Sequence, residues 1–392
     1  VSLVGGLTVL AAIGPFTEAL TDEGRITAVP FLLAALGLGV LVEGARLLMR
    51  RGLSRPPAAV LLAGVLFGVT LLGVGLSALS FGPQRGIEAL QLWVPGIGGG
   101  LTVLVAAWLV GRAGEVRPLI VLLVSITLAA GLTTADVLLN GVVRATAFEW
   151  LLRSDVGPGR LTGIIPAPNA AAVIFLVGLA GCAAFAILGR PAQARLMAMA
   201  AAAVLVAAIF LTYSRSALLA LAVMAAVLAW HWHGWRALAG VLAVGAAAVA
   251  VALTFPQLGL SREVPFWADE ARLAAWAATG QMWLDQPLVG HGFRSFEWLH
   301  GVYGSSLDAP HNEWIRLFAE GGLVAGVVGL GLLAATLAAL SRKRTWVAVA
   351  AAAGLAGFAV MASFNNPLLY VQVNVPAFLL LGMGISRQAV AP

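Results

Sequence analysis

Charge is what this sequence has least of: only 10% of its 392 residues are Asp, Glu, Lys or Arg, against roughly 25% in soluble domains. With 61% hydrophobic residues, a water-soluble fold is not expected. Cysteine is nearly absent as well. Cys182 is alone and lies in an apolar run, which excludes a disulfide framework within one chain and leaves packing as its role. No dense basic patch exists either. The formal net charge is +6, but the basic residues are scattered through short polar breaks, which argues against a nucleic-acid partner. The first apolar run has no basic leader before it and is followed by Glu18, Asp22 and Glu23 rather than a small-residue cleavage site. It is expected to be a retained span. Beyond an Ala/Leu/Val/Gly bias suited to membrane-helix packing there is no internal repeat or low-complexity linker.

What is there is a succession of apolar runs, each near the roughly 20 residues that cross a hydrocarbon core as a helix. They predict helices near 2–16, 27–49, 57–80, 89–111, 118–136, 165–188, 195–212, 215–232, 235–255, 313–340, 345–363 and 367–386. The expected fold class is all-α, a polytopic integral membrane protein of about 12 transmembrane helices. Residues 1–255 would hold helices one to nine, 256–312 a large outward loop and 313–392 the last three helices. Placing the N-terminus in the cytoplasm puts Arg46, Arg50, Arg51, Arg55, Arg112, Arg117, Arg190, Arg195, Arg236, Arg342, Lys343, Arg344 and Arg387 inside. The positive-inside rule therefore predicts two cytoplasmic termini and a working face on the extracytoplasmic side.

Two outward segments are long, roughly 137–164 and 256–312, and long loops in a compact bundle are where function concentrates. Trp267, Trp276, Trp283 and Trp298, with Arg272, Leu273, Met282 and Leu284, predict a helix near 266–285 on the membrane surface. An interfacial anchor and a substrate contact are both consistent with it.

Ten arginines remain outward, where orientation gives no reason for them: Arg25, Arg85, Arg144, Arg153, Arg160, Arg215, Arg262, Arg272, Arg294 and Arg316. Arg215, in LTYSRSALLALAV, sits between two apolar helices with almost no loop to carry it into water. An arginine at such depth faces a counter-charge, a cavity or a ligand, or else snorkels to the headgroups. Arg160 precedes Pro166, Pro168 and Asn169 at an irregular helix start. That start is either a phosphate site on free N–H groups or a proline-rich turn.

The densest polar pattern is PLVGHGFRSFEWLHGVYGSSLDAPHNEWIRLFAEGG, from Pro287. His311 and Asn312 lie at the mouth of the tenth predicted span, with Glu313, Arg316 and Glu320 on its first turns. An imidazole exchanges protons near neutral pH, so His311 is a candidate acid or base. The alternative is an Asn312 helix cap beside an interfacial histidine. His291 and His300 match no zinc-ligand spacing, so no metal site is expected. His231 and His233, in AWHWHGW, read as part of an aromatic belt.

Four ordered segments, RLTGIIPAPN (160–169), LTYSRSALL (211–219), PLVGHGFRSF (287–296) and PHNEWIRLFAEGGLVAGVVG (310–329), resemble the O-antigen ligase and O-antigen polymerase family. Residues 1–150 match it only as a span pattern, and Arg294 stands where members often carry a small residue. The resemblance implies a GT-C-like, metal-independent, inverting glycosyltransferase in the bacterial inner membrane, with its active site facing the periplasm and no cofactor. It would move a glycan from an undecaprenyl-pyrophosphate donor to lipid A-core or to a growing glycan acceptor among membrane lipids. Carried over by position, His311, Arg215 and Arg272 would be catalytic, and Arg160, Asn312, Asn169, Arg294, Arg316 and Glu320 would bind substrate. A secondary transporter is the reading from another class, since many carriers also combine about twelve helices with buried charge.

Overall fold

The computed structural model describes residues 2–13, 15, 28–49, 56–139, 167–243 and 270–386. Arg160, Arg25, Arg144, Arg153 and Arg262, and the ninth expected span beyond residue 243, lie outside them. The helices, in chain order, are α1 (Leu3–Ile13), α2 (Ala28–Met49), α3 (Ala58–Phe81), α4 (Pro83–Trp93), α5 (Gly99–Arg112), α6 (Arg117–Leu138) and α7 (Pro168–Leu188). They continue as α8 (Ala192–Leu211), α9 (Arg215–His233), α10 (Glu270–Asp285), α11 (Ser295–Leu299), α12 (Glu313–Ser341), α13 (Trp346–Ala362) and α14 (Val371–Ile385). No strand occurs among the described residues. Seven of the helical stretches there are long and apolar enough to cross a membrane, and α1, α13 and α14 are shorter apolar helices. The chain is an all-helical polytopic membrane protein.

Local sequence explains where the helices begin. Prolines occupy the first turns of α4, α6 and α7, where the missing N–H is not needed. Thr345 caps α13 by accepting from the Ala348 N–H, and Asn312 caps α12 by accepting from Trp314 and Ile315. The fourth expected span differs from its reading. It starts at Pro83 rather than near 89, and a wide π-type turn, Val94–Gly98, interrupts it with non-helical backbone at Gly96. The glycines of GIGGG let other side chains close on that break: Phe378 of α14 lies against Gly100, and Leu33 of α2 against Gly99.

The core is built on α14, which packs against α5, α7 and α13, while α7 and α9 close on α13. Small residues allow this. A Cβ on Gly382 would lie 2.3 Å from the Leu104 carbonyl oxygen, and Ala350, Ala351 and Ala353 on α13 are fully buried. Without a hydrophobic drive between helices inside lipid, close approach and dispersion carry the packing. Cys182 is buried and unpaired.

Tight turns join α5 to α6, α7 to α8, α8 to α9, α12 to α13 and α13 to α14, so successive helices alternate in direction. Arg46, Arg112, Arg117, Arg190, Arg195, Arg236, Arg342, Lys343 and Arg344 consequently share one end of the bundle, hereafter the basic end. Lys343 there closes the C-terminus of α14, donating to the carbonyls of Gly384, Ile385 and Ser386 at 2.9, 2.6 and 2.7 Å. The starts of α7, α9 and α12 and the finish of α13 meet at the opposite end.

Candidate active site

That opposite end gathers most of the residues singled out in the sequence. At the turn into α9, Ser214 donates to Asn169 Oδ1 on α7 at 2.8 Å and lies 3.2 Å from Ser216 Oγ. Asn365, just beyond α13, donates to the same Ser216 hydroxyl at 3.3 Å. Arg215 stands between these two serines, half-buried, at the first position of α9. The mouths of three helices are thus stitched around it.

A second set of contacts approaches from the loop side. The Trp276 indole donates to the Pro310 carbonyl at 2.9 Å, which fastens α10 to the residue before His311. Arg272 is one turn from Trp276 and therefore on the same side of α10. The two sets share the last turn of α13: the Trp314 indole on α12 donates to Ser363 Oγ at 3.2 Å and to the Ala359 carbonyl at 3.3 Å, two residues from Asn365. Arg215, Arg272 and His311 are held at one end by this chain of bonds, and each remains partly accessible. All three also take part in interactions within the protein.

Backbone strain falls on the same segments. Among the described residues, Tyr213, Arg294 and His311 alone combine a side chain with positive φ, at 51°, 70° and 50°. Such conformations cost of order 1–3 kcal/mol and persist only where the surroundings enforce them. Here the Trp276 bond on one side and the Asn312 cap on the other fix His311 at the bend.

Arg316 and Glu320, by contrast, are turned inward. Arg316 is 2% exposed. It donates to Glu320 Oε2 at 2.8 Å and from Nε to Glu313 Oε1 at 3.0 Å, with Nη2 on the same oxygen, and its guanidinium lies 5.4 Å from the centre of the Phe293 ring. Glu313 also accepts the Leu368 N–H at 3.2 Å. Glu320 accepts from the Phe296 N–H at 3.4 Å. The 313/316 and 316/320 pairs have the i,i+3 and i,i+4 spacings of intrahelical ion pairs, and here the triad locks α12 to the loop rather than opening into the site. Arg294 is similarly engaged: it forks onto Glu297, with Nη2 to Oε1 at 2.7 Å, and that bond holds its guanidinium above the usual arginine range. Asn312, half-buried, has its side-chain oxygen committed to the helix cap.

The PLVGHGF loop is threaded between α3 and a break in α12. His291 and Gly292 donate to the carbonyls of Ala319 and Glu320 at 3.1 and 2.9 Å, Leu323 donates to Pro287 at 2.7 Å, and Phe293 donates to Gly73 at 3.0 Å. Gly290 and Gly322 make the fit possible, with φ of 68° and 66°; a Cβ on either would lie within 2.5 Å of opposing backbone. His291 is buried with its ring against the Met282 carbonyl, and the His300 ring meets the Ser305 carbonyl. Among the described residues no group of three His, Cys, Asp or Glu is arranged to hold a metal ion.

Ser214, Ser216, Asn365 and Ser363 were not singled out from the sequence, although the pair Asn365–Asn366 in FNNP is a polar break between apolar helices. Asn366 is 5% exposed with no hydrogen-bond partner for either amide atom. No curated protein matches this chain. Residues 200–330, the stretch that holds Arg215, Arg272 and His311, match the family model described as O-antigen ligase, and that stretch is similar to O-antigen ligases.

Proposed function

We propose that this protein is a metal-independent, inverting glycosyltransferase that moves an undecaprenyl-pyrophosphate-linked glycan onto lipid A-core at the periplasmic face of the inner membrane. The observation that carries the reading is the shared anchoring of Arg215, Arg272 and His311 at one end of the bundle, within the matched segment. The basic residues at the other end favour the cytoplasm there, which leaves the cluster facing the periplasm.

Arg215 and Arg272 would hold the donor pyrophosphate, because a guanidinium stays charged and presents paired N–H groups to phosphate oxygens. His311 would accept the proton of the acceptor hydroxyl as its oxygen attacks the anomeric carbon. The new glycosidic bond forms while the bond from that carbon to the pyrophosphate oxygen breaks. The electron pair leaves on undecaprenyl pyrophosphate, where the two arginines stabilise the growing charge. Attack opposite the leaving group inverts the anomeric carbon. Asn169 and Asn312 border the same region, and Arg160 would supply a third cation from the segment before α7. Arg294, Arg316 and Glu320 would act on substrate through the loop they fix.

The test is transfer by the purified protein in nanodiscs, from undecaprenyl-pyrophosphate glycan to lipid A-core, with and without chelator. Chelator-resistant product on the core is expected. Lengthening of donor glycan without core modification identifies a polymerase on the same donor, and no turnover of glycan donor returns the transporter.

A further inference from the structure

The basic end carries a feature that glycosyl transfer does not use. A cleft of about 480 Å3 opens there between the start of α1 and the last turns of α2 and α5. Its walls include Leu3, Val42 and Leu109, and its rim carries Glu43, Arg46 and Arg112. Val42 is 43% exposed, so the apolar wall continues onto the outer surface of the bundle.

The charges on this rim do not balance one another. Arg46 Nη1 is 3.6 Å from Glu43 Oε2, with both side chains largely open to the surroundings, so the pair is loose and worth little. Arg112 stands with its guanidinium carbon 5.2 Å from the centre of the Trp108 ring, and its Nη1 is buried with no hydrogen-bond partner. Two guanidinium groups therefore face one carboxylate. The helix dipole accounts for a basic residue in the last turn of α2 and of α5, and snorkelling accounts for one at headgroup depth. Neither accounts for a guanidinium N–H that is shielded from water and offered no acceptor, an arrangement that is costly for a charged group.

A ligand for this cleft must bring an anionic oxygen to the rim and apolar chain to the walls. We propose that the cleft binds an anionic phospholipid of the leaflet at the basic end, its phosphate held by Arg112 and Arg46 and an acyl chain lying over Leu3, Val42 and Leu109. Basic pockets between helices at headgroup level suit such lipids, and each cation near the headgroup contributes about 1 kcal/mol. The inference stands independently of the proposed glycosyl transfer.

The experiment is thermal unfolding of the full chain in detergent, titrated with phosphatidylglycerol, phosphatidylcholine or inorganic phosphate. Phosphatidylglycerol should raise the Tm saturably, and the other two should not. Arg112→Gln and Arg46→Gln should each weaken the apparent affinity about fivefold or more, Glu43→Gln should strengthen it, and Arg342→Gln, at the same end outside the cleft, should leave it unchanged. Arg46 is exposed and far from the core, so its variant reports on binding even if Arg112→Gln folds poorly. Equal shifts with phosphatidylcholine, an equal shift with inorganic phosphate, or equal weakening by Arg342→Gln would each overturn the proposal.

Discussion

The indole of Trp276 donates to the carbonyl of Pro310 at 2.9 Å, so the helix that carries Arg272 is fastened one residue before His311. In the proposed reaction Arg272 clamps the pyrophosphate and His311 is the base, so their separation matters, and this bond helps to set it beside the packing of Ala275, Ala278 and Met282 against Ala319 of α12. Removing the donor while keeping the aromatic bulk, as in Trp276→Phe, should lower transfer about tenfold or more, because small misplacements of reacting groups are costly. Donor affinity should change much less. A steady-state comparison of kcat and donor KM checks this, and an unchanged kcat would detach α10 from the chemistry.

Arg215→Lys retains the charge and loses the planar fork. Transfer should fall roughly 10–100-fold if the group binds phosphate oxygens in pairs. Near-normal turnover in that variant would instead fit an arginine that snorkels to the headgroups.

The threading of the PLVGHGF loop through α12 makes a stability prediction. Gly290→Ala and Gly322→Ala each place a Cβ at positive φ and within 2.5 Å of backbone that cannot swing away. Each should destabilise the protein by about 2–4 kcal/mol, from the left-handed conformation together with overpacking. Gly280→Ala, in the middle of α10 with open space around its Cα, should be neutral or slightly stabilising. Thermal unfolding of the three variants separates these cases.

Tyr303 supplies a pH dependence outside the spans. Burial, and then its 2.7 Å hydrogen bond to the Asp285 carboxylate, raise its phenol from 10.0 to about 12. The folded-state value lies above the unfolded one, so the stabilisation is fully present below about pH 10 and is lost as pH rises through about 12. Between those limits the Tm of the wild type should fall more steeply than that of Tyr303→Phe. Parallel slopes would mean that the bond does not form.

Most of the helical framework was legible because apolar length is a local property, and the runs at 57–80, 118–136 and 313–340 coincide closely with α3, α6 and α12. The helix expected near 266–285 is present as α10 over Glu270–Asp285. The early start of α4 was not legible: Gln84, Arg85 and Glu88 read as a loop until Arg85 is seen pairing with Glu88 at 2.9 Å and lying over Trp298. Within the site, the substrate-binding role that the resemblance implies for Arg316 and Glu320 says nothing of how their side chains are turned. Their spacing already allowed the ion pairs that occupy them, but nothing local decides whether such residues turn inward or outward. The contact between Ser216 and Asn365 spans 149 residues of sequence, and only the assembled bundle reveals it.

The most direct measurement of the central claim is single-turnover glycan transfer at saturating donor by the wild type and by His311→Gly. Glycine suits the φ of 50° at this position, so the variant removes the imidazole without adding strain. The account predicts a loss of about 10²–10⁴-fold in the transfer rate, with donor binding retained by the arginines. Equal rates in the two proteins would contradict it.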